Sequence, residues 1–195
     1  MIGYLKGKLA FKDPTFVIVD VNGVGYEVKI SLYTFSKIKD QEACLLHTHL
    51  HVKEDAQTLY GFSGKEEKHI FLQLISISGV GPNTALMINS SLNVSELKNA
   101  IANEEVAVIQ KVKGIGNKTA HRIILELKDK IRKEGFDESG TTSSESASIR
   151  NEALSALITL GINRTMAEKS IDRILKTQSI DVTLEDLIKL VLKQA

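Results

Sequence analysis

Ser-Gly-Val-Gly-Pro-Asn-Thr-Ala at Ser78–Ala85 and Lys-Gly-Ile-Gly-Asn-Lys-Thr-Ala at Lys113–Ala120 repeat one pattern at a spacing of 35 residues. The register reaches beyond the glycines: Leu74 aligns with Ile109, Ile77 with Val112, Thr84 with Thr119 and Ile88 with Ile123. Any fold must therefore contain the same small unit twice. Each copy reads as an apolar helix, a tight turn with two glycines, and a second helix carrying a threonine in its first turn. Glycine permits a positive φ and leaves no Cβ in the path of an approaching group. Unpaired N–H groups remain at the start of the second helix, where the helix dipole also favours negative charge. Such a turn is suited to cradling phosphate. The candidate positions are Gly79, Val80, Gly81, Asn83 and Thr84 in the first copy. In the second they are Gly114, Ile115, Gly116, Asn117, Lys118 and Thr119, with Arg122 one turn beyond.

This pattern resembles the helix-hairpin-helix motif, which implies a grip on nucleic-acid backbone without base reading, with paired copies serving the two strands of one duplex. A single G-x-G would read as an ordinary helix-ending glycine, but two copies in register favour a nucleic-acid role. Asn117-Lys118-Thr119 also suggests the end of a nucleotide-binding phosphate loop. That motif needs glycine where Val112 and Asn117 stand, so it is excluded.

The formal net charge of +1 conceals a segregation. Lys/Arg and Asp/Glu balance at seven each in residues 1–63, stand at eleven against eight in 64–135, and at seven against nine in 136–195. Between 111 and 133, Lys111, Lys113, Lys118, Arg122, Lys128, Lys130, Arg132 and Lys133 face only Glu126 and Asp129. A charge run usually marks a solvated helix face; around a phosphate-cradling turn it points to a polyanion. A single Cys, two Pro and no early apolar run argue against a secreted, disulfide-built protein. No segment approaches the length of a membrane span, so a cytoplasmic location is expected. Cys44, in Ala-Cys-Leu-Leu, reads as a small core residue.

Along the chain, residues 1–63 are strand-like, with β-branched and aromatic runs at 2–10, 15–21, 25–31, 43–52 and 57–62, and a hairpin signal at Asn22-Gly23. Five short strands predict a small closed barrel of the oligonucleotide-binding type. Lys53–Ala56 interrupts the last alternation as a loop tip. Residues 64–135 are helical, with capping-box patterns at Ser63–Glu66 and Asn93–Glu96 and helices expected at 64–75, 94–102 and 118–133. Residues 136–148, rich in Ser, Gly and Thr, read as a flexible linker. Residues 149–195 read as three helices at 149–160, 164–176 and 184–192. The fold class is α+β: an N-terminal barrel, a central all-α tandem hairpin domain, and a tethered three-helix domain.

His47, His49 and His51 alternate along one strand face, and a solvated face is favoured over a metal site; no metal or cofactor is expected. Glu54 and Asp55 share the exposed tip, where an electrostatic role is favoured over acid–base chemistry, which needs a pocket. Leu154, Leu157, Ile158, Leu160 and Ile162 form an apolar stripe too extensive for so small a domain to hide, so part of it is expected to serve a partner.

The opening Met-Ile-Gly-Tyr-Leu-Lys-Gly, Val21-Asn-Gly-Val-Gly-Tyr-Glu-Val, Val52-Lys-Glu-Asp-Ala-Gln-Thr-Leu-Tyr-Gly-Phe and both glycine turns together resemble the RuvA family of Holliday-junction-binding proteins, over the whole chain. The resemblance implies a non-catalytic homotetramer, or two tetramers face to face as an octamer, with four-way junction DNA flat on its basic face. It implies the hexameric ATPase RuvB as partner of the C-terminal domain, at a surface including Leu157, Leu160 and Ile162, and the resolvase RuvC as a further partner. Glu54 and Asp55 match the family's acidic pin at the junction centre. Asn83 and Asn117 depart from it, standing where lysine is common, and Ile162 stands where tyrosine is frequent. The competing resemblance is to a helix-hairpin-helix glycosylase/lyase, with Lys118 as nucleophile and Asp137 assisting. Asp137 falls in the expected linker, and one cysteine cannot hold the iron–sulfur cluster many such enzymes carry. A generic junction-binding module serving a nuclease is the third reading.

Overall fold

The computed structural model describes residues 1–134, 145–177 and 183–193, without the side chains of 129, 131–134, 145–148, 176 and 177. The chain divides into two compact units, Met1–Asp137 and Glu138–Ala195.

The first unit opens with β1 (Tyr4–Lys12), β2 (Phe16–Val21), β3 (Val24–Ile30), α1 (Leu32–Ile38), β4 (Ala43–Val52) and β5 (Gln57–Phe62). The strands close in the order β1-β2-β3-β5-β4, all pairs antiparallel except β3 with β5. Closure leaves no free sheet edge. Alternation sends Val17, Val19, Val28, Ile30, Leu46 and Leu59 inward to a core that also takes Cys44. Asn22 (φ 53°) and Gly23 (φ 86°) are both left-handed, as a tight hairpin turn requires. Helix α1 was not expected, because Leu-Tyr-Thr-Phe-Ser-Lys-Ile is rich in residues that favour strands. A local cap starts it: the Ser31 hydroxyl oxygen accepts the Thr34 N–H at 3.0 Å.

The helical part comprises α2 (Lys65–Ile75), α3 (Pro82–Ser91), α4 (Val94–Ala102), α5 (Val106–Gln110) and α6 (Asn117–Glu134). The Asn93–Glu96 capping box is present, with both reciprocal hydrogen bonds. The Ser63–Glu66 box is not. Helix α2 starts one residue later than that pattern supposes, with Gly64 as its uncapped N-cap, and this turns Glu67 rather than Glu66 toward Ser63.

Helix α2 lies against the outer face of β4 and β5, and its Phe71, fully buried, fixes that contact. The rings of Phe62, Tyr60 and His49 lie 4.8, 5.2 and 5.7 Å from it, centroid to centroid. His49 therefore packs against α2, and His47, His49 and His51 are each half-buried, less solvated than expected. Burial lowers the pKa of His49, helped by His51 and Lys68, and lowers that of His47, helped by Lys65 and Lys68. Among the described residues no cluster of metal-ligating side chains occurs.

A buried polar node completes the junction. The Glu67 carboxylate accepts hydrogen bonds from the hydroxyls of Ser31 and Thr34, and Thr34 Oγ1 also accepts the Ser63 N–H at 2.9 Å. The Glu67 carbonyl accepts from Asn89 of α3 at 3.2 Å, and Ser90 Oγ accepts the Leu32 N–H at 3.1 Å. The barrel's own helix is so tied to α2 and α3.

The second unit holds α7 (Glu145–Thr159), α8 (Arg164–Thr177) and α9 (Leu184–Leu192) around Ala153, Leu154, Leu157, Ala167, Ile171, Ile174, Leu187 and Val191. Helix α7 begins four residues before the expected start at 149. The rest of the linker expected at 136–148 lies outside the described residues.

Burial raises the Glu67 pKa, against the lowering effect of its hydroxyl donors. A raised carboxyl pKa adds stability in full at low pH, where the group is protonated folded and unfolded alike. That stability falls as pH rises from the ordinary carboxylate value through the raised one. Wild type should therefore lose stability relative to Glu67→Gln over that rise, measured by urea denaturation at a series of pH values. Glu67→Ala, which strands two buried hydroxyls, should cost about 2–4 kcal/mol.

Candidate nucleic-acid interface

The repeat in the sequence is a repeat in geometry. In the first turn the N–H groups of Ile77, Val80 and Ala85 donate to the carbonyls of Leu74, Ile77 and Gly81 at 3.1, 3.0 and 3.0 Å. In the second, Val112, Ile115 and Ala120 donate to Ile109, Val112 and Gly116 at 3.1, 3.2 and 3.0 Å. The first glycine of each pair is left-handed, Gly79 at φ +89° and Gly114 at φ +87°. Val80 and Ile115 enter the helical core, and their N–H groups are bonded within the turn. Both stand among the expected backbone-contacting positions; in the fold their side chains pack inward and their N–H groups close the turn.

The second glycine of each pair has a different reason to be there. Gly81 is an N-cap with an unexceptional φ of −83°, and a Cβ placed at Gly81 or Gly116 would meet no atom within 4 Å. Neither conformation nor packing within the described residues requires glycine at these positions, and both face open space. Ala85 and Ala120 are the first residues of their helices to donate back to the preceding glycine. The N–H groups of Asn83 and Thr84, and of Asn117, Lys118 and Thr119, come before that point and take no acceptor among the described residues. Pro82, at the first helical position of α3, has no N–H, so the first cradle has one donor fewer than the second.

Side chains divide the same way. Lys111, Lys113 and Lys118 are exposed around the second turn. Arg122 donates to the Ser78 carbonyl at 3.1 Å and lies 3.4 Å from Glu126. Lys130 donates to Ser76 Oγ, and Lys128 pairs with Glu104, both at 2.5 Å. Much of the basic run on α6 therefore fastens that helix to the rest of the tandem, and Met87 of α3 lies 3.6 Å from the Cβ position of Gly114. Asn83, exposed at the mouth of the first turn, accepts a hydrogen bond from the Tyr60 hydroxyl of the barrel at 3.2 Å. Nothing in the linear sequence signals the Arg122 or Tyr60 contacts, which join residues 44 and 23 positions apart.

Glu54 and Asp55 are exposed at the β4–β5 tip, where the Lys53 N–H donates to the Ala56 carbonyl at 2.8 Å and closes the turn. In the second unit, Leu157, expected on the partner surface, is fully buried and belongs to the core. The next turn of chain packs over it, with the Ile162 N–H on the Leu157 carbonyl at 3.0 Å. Ile162 is half-buried against that core, and Leu160 is 60 % exposed, with Ile158 and Met166 also exposed. Asp137, which the lyase reading needs, lies outside the described residues, and Lys118 is exposed.

The two kinds of glycine should separate in stability measurements. Gly79→Ala and Gly114→Ala put a Cβ on left-handed backbone and should each cost about 1–2 kcal/mol. Gly81→Ser and Gly116→Ser supply an N-cap hydroxyl in open space and should leave the urea midpoint unchanged or slightly raised.

Three family models match the chain in order: RuvA N terminal domain over residues 1–61, SAM-like Helix-hairpin-helix tandem over 71–129, and RuvA, C-terminal domain over 148–195. A Cytophaga hutchinsonii protein called Holliday junction branch migration complex subunit RuvA is 58% identical over 100% of both chains. Proteins of the same name from Christiangramia forsetii and Bacteroides thetaiotaomicron are 53% and 44% identical, again over 100% of both chains. Identity of this order from end to end, with all three models in sequence, places the chain in the RuvA family.

Proposed function

We propose that this protein binds four-way DNA junctions through their phosphates, holds them open and flat as a homotetramer or octamer, and recruits the ATPase RuvB to drive branch migration in recombination and repair. It supplies no catalysis of its own; RuvC is a further partner at the junction. The observation that carries the reading is the pair of equivalent turns, each with a conformationally unnecessary glycine beside free N–H groups. Such groups recognise backbone oxygen and carry no base information. The acidic tip favours a junction over continuous duplex. Four copies of Glu54 and Asp55 around a four-fold axis repel phosphates from the centre, where a duplex would cross and a junction opens. The nuclease-module reading shares this interface and differs in partner, which the relatives' name as subunits of a branch migration complex disfavours.

Competition between a four-way junction and linear duplex of the same sequence tests the reading. The junction should win whatever the sequence of its arms, and Gly116→Ser should weaken it more than Lys118→Ala. Neutralising the tip with Glu54→Gln and Asp55→Asn should strengthen duplex binding several-fold and steepen its salt dependence, as more phosphates come within reach. An unchanged junction-to-duplex ratio would remove the pin from the account.

The tail is proposed as the motor contact through Leu160 and its exposed neighbours Ile158 and Met166. Leu160→Asp should leave the circular dichroism spectrum and junction affinity intact and abolish RuvB-dependent branch migration. Leu157→Asp, by contrast, should unfold the three-helix unit. A chain ending near Gly135 should bind junctions normally and fail with the motor.

A further inference from the structure

The repeat register places Asn83 opposite Lys118, so the first cradle has a neutral amide where the second has a cation. With Pro82 also lacking an N–H, the first cradle is the poorer in donors. Its amide side chain is nevertheless held. Tyr60 is 3% exposed, its ring lies 5.2 Å from that of Phe71, and its hydroxyl donates to Asn83 Oδ1 at 3.2 Å. Burial raises the pKa of that hydroxyl, which keeps it protonated and able to donate. With Oδ1 engaged, both hydrogens of Asn83 Nδ2 remain available on an exposed residue, and they take no acceptor among the described residues.

We infer that Tyr60 is a positioning residue for the DNA contact: it orients Asn83 so that Nδ2 donates to a phosphate oxygen at the first turn, coupling the barrel wall to the phosphate grip. The inference rests on the proposed phosphate-binding role of the turns and names a barrel side chain as part of it. A carboxamide that can otherwise turn about its two side-chain bonds binds better when its orientation is fixed in advance. A lysine would need no such orientation, since its ammonium donates in three directions from a flexible stem.

The test is junction binding by fluorescence anisotropy with the full chain at several salt concentrations, beside the melting temperature of each variant. Tyr60→Phe and Asn83→Ala should each weaken binding about five-fold for every copy in contact with the junction. The double variant should be no weaker than Asn83→Ala alone, because one interaction is being removed twice. Neither should change the salt slope, since no charge is lost, whereas Lys118→Ala should reduce it by about 0.9 for every copy whose lysine meets a phosphate. In an Asn83→Lys background Tyr60→Phe should have no effect on binding. Additive losses, wild-type binding by Tyr60→Phe, or an equal loss in the Asn83→Lys background would each overturn the inference, the last by showing that the tyrosine acts through the fold. If Gly116→Ser and Lys118→Ala also bind as wild type, the turns themselves are not the DNA contact and the proposed function fails with it.

Discussion

Phe71 joins two hydrophobic cores that could otherwise exist side by side. One core fills the barrel; the other lies among α2 to α6, and Phe71 belongs to the second while packing on rings displayed by the outside of the first. Aromatic contact of this kind combines large buried area with a preferred ring geometry, so it fixes orientation as well as adhesion. Each cradle takes its place from this contact: α2 runs directly into the first turn, and the first turn is where α6 is fastened through Arg122 and Lys130. Displacing α2 on the barrel would carry both turns with it.

Apolar packing alone would leave that helix free to slide along the sheet. The Glu67 node supplies registration. A buried carboxylate with hydroxyl donors from one element and a backbone carbonyl serving a second tolerates one arrangement, because any slip strands a buried polar group. Burial lifts the Glu67 pKa, so the node costs stability once ionised. Its benefit lies in the single geometry it permits between α1, α2 and α3.

What the sequence made legible was local. The glycine turns, the Asn22-Gly23 hairpin, the Asn93 cap, the five strands and the acidic tip each announce themselves within a few residues, and all are present. What it concealed were relations across distance. Leu-Tyr-Thr-Phe-Ser-Lys-Ile looks like strand until Ser31 caps it and Glu67 receives it. The alternating histidines read as solvated because nothing in β4 tells that Phe71 of α2 packs on His49. Leu157 and Leu160 share a stripe, and only the packing of α8 and α9 sends the first inward and leaves the second out. The basic run on α6 gives no sign that Arg122 and Lys130 reach Ser78 and Ser76.

If the protein works as proposed, the β4–β5 hairpin is what lets attraction and repulsion be combined in one binding surface. Charges discriminate between ligands of different shape only if their separation is fixed, because at physiological salt the field of each fades within about 8 Å. The tip of this hairpin presents Glu54 and Asp55; a few residues back, His49 and Tyr60 pair across the strands and both pack on Phe71. Tyr60 then reaches the first cradle through Asn83. A two-stranded ribbon therefore runs from the carboxylates of the tip to the first glycine turn, with no loop of variable length between them. Under the proposed function this continuity matters: a flexible connection would let the carboxylates swing away from an approaching duplex, and a preference for open junctions would be lost even with every charge in place.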